Sequence, residues 1–231
     1  HKSWEDVLGL LGGDLLPGAT LKSKLGMARL RAFAEVAWLD EGILALSITE
    51  GLRALMARLP DGEDAGTALL LAAAPAVFVP ALVRRKAGKA AIAPNPEFGH
   101  AADMLAMLNG AAPSKEAAAA LDAYLVTVSD HGLNASTFAA RVVASTRAGY
   151  TSAVLAALGA LKGPLHGGAP GPVLDMLDAV GTPGNAEVWL LAELARGERL
   201  MGFGHRIYRV RDPRADALKA ALARLGAAGG M

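Results

Sequence analysis

Runs of alanine and leucine, broken at short intervals by glycine and proline, fill most of this chain, and nowhere do β-branched residues alternate at period two for long enough to make a strand. That pattern admits one class of fold. Helices are expected over Lys22 to Ala37, Leu39 to Arg58, Ala65 to Lys86, Glu97 to Leu108, Lys115 to Ser129, Ala135 to Ala148, Ser152 to Leu161, Gly171 to Val180, Glu187 to Arg196 and Arg214 to Leu225. With 53% apolar residues in 231 positions, they can bury a substantial core, and the expected architecture is all-α.

Several boundaries follow from the residue types. Ser114 can cap the helix that opens at Lys115 by accepting an orphan N–H. Asp212 followed by Pro213 reads as a cap with proline in the first turn. Gly132 can close the preceding helix in the left-handed conformation. The most apolar stretch, Thr67 to Val83, holds Pro75 and Pro80 and is shorter than the roughly 20 residues that span a bilayer, so a kinked core helix is expected there.

Composition removes several functions. There is no cysteine, hence no disulfide framework, Cys-ligated zinc or thiol nucleophile. A formal charge of +1 without a lysine or arginine run offers nothing for a nucleic-acid backbone. The chain opens on histidine with no secretory pattern, and a cytoplasmic location away from membranes is expected.

The chemistry-bearing candidates are histidines. His100, in NPEFGHAADML, falls on a helix and reads as a packing or capping residue. His131 sits in the polar turn SDHGLNAST, where Asn134 or Ser136 is expected to cap the next helix. It suits either helix termination or a carboxylate-binding loop. His166 sits in LKGPLHGGAPGPV, either an ordinary Gly-Pro connection or a turn whose glycines let the backbone approach a ligand. A neutral imidazole there could donate to a carbonyl oxygen as negative charge develops on it. His205 lies in LMGFGHRIYRVRDPRA beside Arg206, Arg209, Arg211 and Arg214, a solvated basic face or a local anion site, since guanidinium forks bind carboxylate and phosphate. No two of these histidines stand three or four residues apart, which disfavours a metal site. There is no G-x-S-x-G elbow and no P-loop.

In order and interval, DHGLNAST, GPLHGGA and GFGHRIYRVRDPR resemble three consecutive blocks of the citrate synthases, Gly-Phe-Gly-His with its following Asp-Pro-Arg being the most diagnostic. Pro94 to Leu108 resembles the helix that precedes them. The likeness runs over about residues 50 to 225 and fades in the first 45 or so. It implies a multi-helix large domain, here 1–166, and part of a smaller helical domain, 167–231, usually in a homodimer. It implies condensation of acetyl-CoA with oxaloacetate to citrate and CoA, as in the tricarboxylic acid cycle, or of propionyl-CoA in a 2-methylcitrate synthase. No cofactor is held permanently, since CoA is substrate and product. On this likeness His166 stabilises the enol of the thioester, and His205 polarises the oxaloacetate carbonyl and protonates the new alkoxide. His131 and Arg214 bind oxaloacetate carboxylates, and Arg209 meets CoA phosphates. The family's aspartate base, several tens of residues beyond the second histidine, has no counterpart, because only Asp212 and Asp216 follow His205. The chain is then expected to be part of a longer enzyme, a short form completed by another subunit, or a silent relative; the first is the reading adopted.

Overall fold

The computed structural model describes residues 2–16, 20–130, 132–168, 170–200, 202 and 212–227, and among them helices are the only regular elements. In chain order they are α1 (Trp4–Gly12), α2 (Leu21–Phe33), α3 (Glu41–Ala45), α4 (Ile48–Met56), α5 (Ala65–Ala73), α6 (Pro75–Lys86), α7 (His100–Asn109), α8 (Lys115–Val128), α9 (Ala135–Ser145), α10 (Tyr150–Leu161), α11 (Pro170–Val180), α12 (Ala186–Ala195) and α13 (Pro213–Ala227). The all-α class is therefore observed.

The boundaries depart from the sequence reading where capping outweighs apolar periodicity. The helix expected over Leu39 to Arg58 is two, because Ser47 and Glu50 form a reciprocal capping box that starts α4 afresh. Ser3 and Asp6 build the same device and start α1, a helix the periodicity did not reveal. Ser114 caps α8 as expected, accepting from the Ala117 N–H at 3.1 Å. Asp212 accepts from the Arg214 N–H at 3.0 Å at the head of α13. Gly132 is left-handed, with φ 88°, but α8 has already ended at Val128, so this glycine shapes the connecting turn instead.

The core is built around α5 and α6. Leu70, Leu71, Ala74, Val77, Phe78 and Leu82 are buried against Leu55 and Met56 of α4 and Met107 of α7. Together α5 and α6 make a 22-residue stretch long enough to cross a bilayer, whose most apolar 18 residues have a mean hydropathy of 2.1, yet 67% of those are buried inside the protein. Pro75 opens α6 and Pro80 removes one donor from its backbone ladder, and the expected core helix is observed in the burial of this stretch. Burying Phe78 alone stabilises the fold by about 1.5–3 kcal/mol.

One ion pair lies inside this packing. The Arg29 guanidinium on α2 donates from Nε to Asp103 on α7 at 2.6 Å, and neither side chain is exposed beyond 1%. Arg29 also donates to the Phe98 carbonyl at 2.9 Å, and Asp103 accepts from the Asn95 N–H at 2.9 Å. These bonds pin the segment before α7 onto α2, where Gly26 leaves room for the Pro96 carbonyl. His100, at the head of α7, is buried and stacked on Trp4 with ring centroids 4.1 Å apart, so its packing role is observed.

Candidate active site

Residues from two of the three histidine segments meet at one end of the antiparallel pair α9 and α10, which pack closely along their lengths. The other end is clamped from outside the pair. Asp61, in the loop after α4, accepts from the Thr151 N–H at 2.9 Å, the Ser152 N–H at 3.2 Å and the Ser152 hydroxyl at 2.5 Å, so it caps α10 across 90 residues of chain. The Ser152 hydroxyl, foremost, holds the Asp61 carboxyl below the usual carboxylate range. Gly149 permits this approach. Its φ of 97° and ψ of 161° fall in a region open essentially to glycine alone, and a Cβ there would lie 2.0 Å from Asp61 Oδ1. The clamp is completed by Tyr150 N–H to the Gly62 carbonyl at 2.9 Å and by Arg147 on Glu63 at 2.6 Å.

At the open end, Asn134 caps α9, its Oδ1 accepting from the Thr137 N–H at 3.0 Å, which settles the choice between Asn134 and Ser136 for that duty. Ser136 stands in the first turn of α9. Its hydroxyl lies 2.7 Å from the same Asn134 oxygen, an acceptor, so the hydroxyl hydrogen points there. The Ser136 oxygen is then free to accept, and His166 Nε2 lies 2.9 Å from it. His166 arrives in the turn that follows α10. That turn is stitched on one acceptor, the Gly163 carbonyl, which takes the His166 N–H at 3.0 Å and the Gly168 N–H at 3.1 Å.

The proton positions follow from this relay. With the Ser136 hydrogen on Asn134, Nε2 carries the proton and Nδ1 of a neutral ring is bare. Rotation of the hydroxyl toward Nε2 would let the proton sit on Nδ1, the donor form. His166 is half-buried, so the ring is held yet reachable.

His166 is thus placed by the fold, and Ser136, 30 residues away in sequence, is its partner. The sequence carried no signal for that contact, since it depends on how two helices align. His131, His205 and Arg209 lie outside the described residues. Arg214 is described, and its guanidinium binds Asp212 in bidentate fashion, donating from Nη2 to Oδ2 at 2.6 Å and from Nε to Oδ1 at 3.0 Å. The cleft between α8 and α13, about 460 Å³ and lined by Lys115, Glu116 and Arg224 among others, does not involve His166.

A family model described as the citrate synthase C-terminal domain matches residues 20–231. This chain belongs to the citrate synthase family. The match starts well before the region where motifs alone carry the likeness, so α2 to α4 belong to the shared fold as well. A 2-methylcitrate synthase of Mycobacterium tuberculosis is 44% identical over 171 residues, which is 72% of this chain and 44% of that protein. The crystal structure of citrate synthase from Thermotoga maritima superposes with a TM-score of 0.80 at 30% identity, covering 96% of this chain and 62% of that one. The citrate synthase of Thermoplasma acidophilum, solved as a ternary complex with carboxymethyl coenzyme A and oxaloacetate, gives a TM-score of 0.77 at 26% identity, covering 98% and 63%. The chain thus spans less than half the length of its curated relative and under two thirds of the two structures.

Proposed function

We propose that this chain supplies the histidine half of an acyl-CoA:oxaloacetate condensing site. In this reaction a base removes a proton from the α-carbon of the thioester, and the enol so formed attacks the oxaloacetate carbonyl carbon. The new alkoxide takes a proton, and water then cleaves the thioester to release CoA. His166 meets the thioester oxygen through Nδ1 once the Ser136 hydroxyl has turned to Nε2, and stabilises the charge that gathers on that oxygen in the enol. His205 polarises the carbonyl and protonates the alkoxide. His131 and Arg214 bind the oxaloacetate carboxylates, Arg214 arriving pre-oriented by its fork on Asp212, and Arg209 meets the CoA phosphates.

The observation that carries this reading is the Asn134–Ser136–His166 relay, an imidazole with one nitrogen fixed and the other free, in a chain of this family. Asp212 is engaged by Arg214 and serves poorly as the α-proton base, so that carboxylate is assigned to residues outside these 231, on the same polypeptide or a partner subunit. Residues 1–166 are assigned to a large domain and 167–231 to part of a smaller one, in a cytoplasmic homodimer.

Acetyl-CoA is the proposed donor. The relationship to a 2-methylcitrate synthase makes propionyl-CoA the alternative, and a single methylene discriminates by roughly 10- to 200-fold. The test is thiol release from each thioester with oxaloacetate, in the full-length gene product. His166→Ala and His205→Ala should each abolish most of the rate with the far-UV spectrum unchanged. Turnover at the parental rate in either variant would remove that histidine from the mechanism.

A further inference from the structure

The glycines after His166 invite the view that they clear space for a ligand, but the backbone places them against α10. A Cβ on Gly167 would lie 2.5 Å from Leu161 Cδ1 and 2.6 Å from the Leu161 carbonyl oxygen. On Gly168 it would lie 3.0 Å from the Gly163 carbonyl oxygen and 3.1 Å from that of Lys162. At Gly167 the Leu161 side chain could give way but the Leu161 carbonyl oxygen is backbone and cannot swing aside, and at Gly168 all the near neighbours are backbone. The turn from Gly163 to Gly168 is folded so tightly onto the last carbonyls of α10 that only hydrogen fits.

We infer that Gly167 is a positioning residue for His166. Its missing Cβ allows the turn to close on the end of α10, and that closure sets the imidazole at hydrogen-bond distance from Ser136. The neighbouring bonds agree. His166 N–H and Gly168 N–H share the Gly163 carbonyl, so residues on both sides of Gly167 are tied to the start of the turn. A methyl on Gly167 must retreat from the Leu161 oxygen by about 0.7 Å to reach an ordinary C···O separation of about 3.3 Å, and it carries the adjoining residue with it. That is a large fraction of the His166–Ser136 bond tolerance.

This inference rests on the proposed function for its kinetic consequence and on geometry alone for its structural one. The experiment uses Gly167→Ala in the full-length gene product. Imidazole nitrogen–proton correlation spectra without substrate, assigned through His166→Gln, should show the His166 signals displaced and the other histidines unmoved. In turnover, kcat should fall by roughly 10- to 100-fold with KM for the acyl-CoA nearly constant, since misplacement of a reacting group by about 1 Å costs on the order of 100-fold. A glycine kept for ligand approach gives the opposite split, a raised KM with kcat and the free-enzyme spectrum retained, and that outcome overturns the inference. If the unsubstituted protein releases no thiol, the proposed function fails while the spectrum still decides the role of Gly167. Should Gly167→Ala not fold, Gly168→Ala, with its milder approach, is read the same way: an unchanged His166 signal overturns the inference and a displaced one supports it.

Discussion

Acid should destabilise this protein through His100, well above the pH at which carboxylates titrate. The ring is 4% exposed, and burial, assisted by the Arg29 charge nearby, depresses its pKa from 6.5 to about 3. A base with a depressed folded pKa stays neutral in the native state while the unfolded chain takes up its proton. Its stability is therefore complete above pH 6.5 and is lost progressively as pH falls from 6.5 toward 3. Between pH 7 and pH 5 the loss is about 2 kcal/mol, from the proton affinity of the unfolded imidazole. For a chain of this size that lowers the melting temperature by roughly 4–8 °C. Other groups titrate too. Desolvation raises Asp122, which acts in the opposite sense, while Asp61 and Asp64 are lowered by their capping bonds. The measurement is consequently a comparison: urea unfolding at both pH values for the parent and for His100→Phe, which keeps an aromatic ring against Trp4 but cannot be protonated. The parent should lose about 2 kcal/mol more than the variant on acidification. Equal losses in the two proteins would refute the reasoning.

Two further substitutions test the frame that carries the site. Gly149→Ala forces a side chain into a glycine-only backbone region and drives the Asp61 carboxylate off α10, so it should cost at least about 1–3 kcal/mol in urea unfolding; Asp61→Ala in the same background should relieve the overlap but not the backbone strain. Arg29→Met leaves Asp103 buried without its cation and should cost about 3–5 kcal/mol, part of it recovered in Arg29→Met/Asp103→Leu; a single-variant loss below about 1 kcal/mol would show that the pair contributes little.

The existence of most helices was legible because apolar periodicity is local, and so were the caps at Ser114, Asn134 and Asp212, where a short polar side chain serves its own helix. Ser47 and Glu50 were equally readable as a Ser-x-x-Glu box, but the surrounding apolar pattern, continuous from Leu39 to Arg58, hid the break. What stayed hidden is what the fold contributes across distance. Asp61 caps a helix that begins 89 residues later, and Ser136 holds a histidine 30 residues on. Glu5 does likewise, accepting the His100 N–H at 2.7 Å at the head of α7, where Gly99 offers no side-chain cap. In each case the residue type announces a hydrogen-bond acceptor without naming its donor. The glycines after His166 left a plain connection and a ligand-approach turn equally open, because sequence shows the absence of a side chain, not the atom that occupies its place.

The two ends of α10 divide stability from geometry. At its head, Gly149 and Asp61 set how firmly the helix is seated; at its tail, Leu161 and Gly167 set where the imidazole points. A helix of 12 residues, about 18 Å long, carries a rigid shift from end to end, but fraying of its first turn stays local. Loss of the Asp61 cap should therefore loosen the residues around Thr151 while the His166–Ser136 bond persists. A Cβ on Gly167 disturbs that bond with the head of α10 still clamped. Folding energy and catalytic alignment can thus be altered separately in one helix, because the contacts that supply each lie at opposite termini.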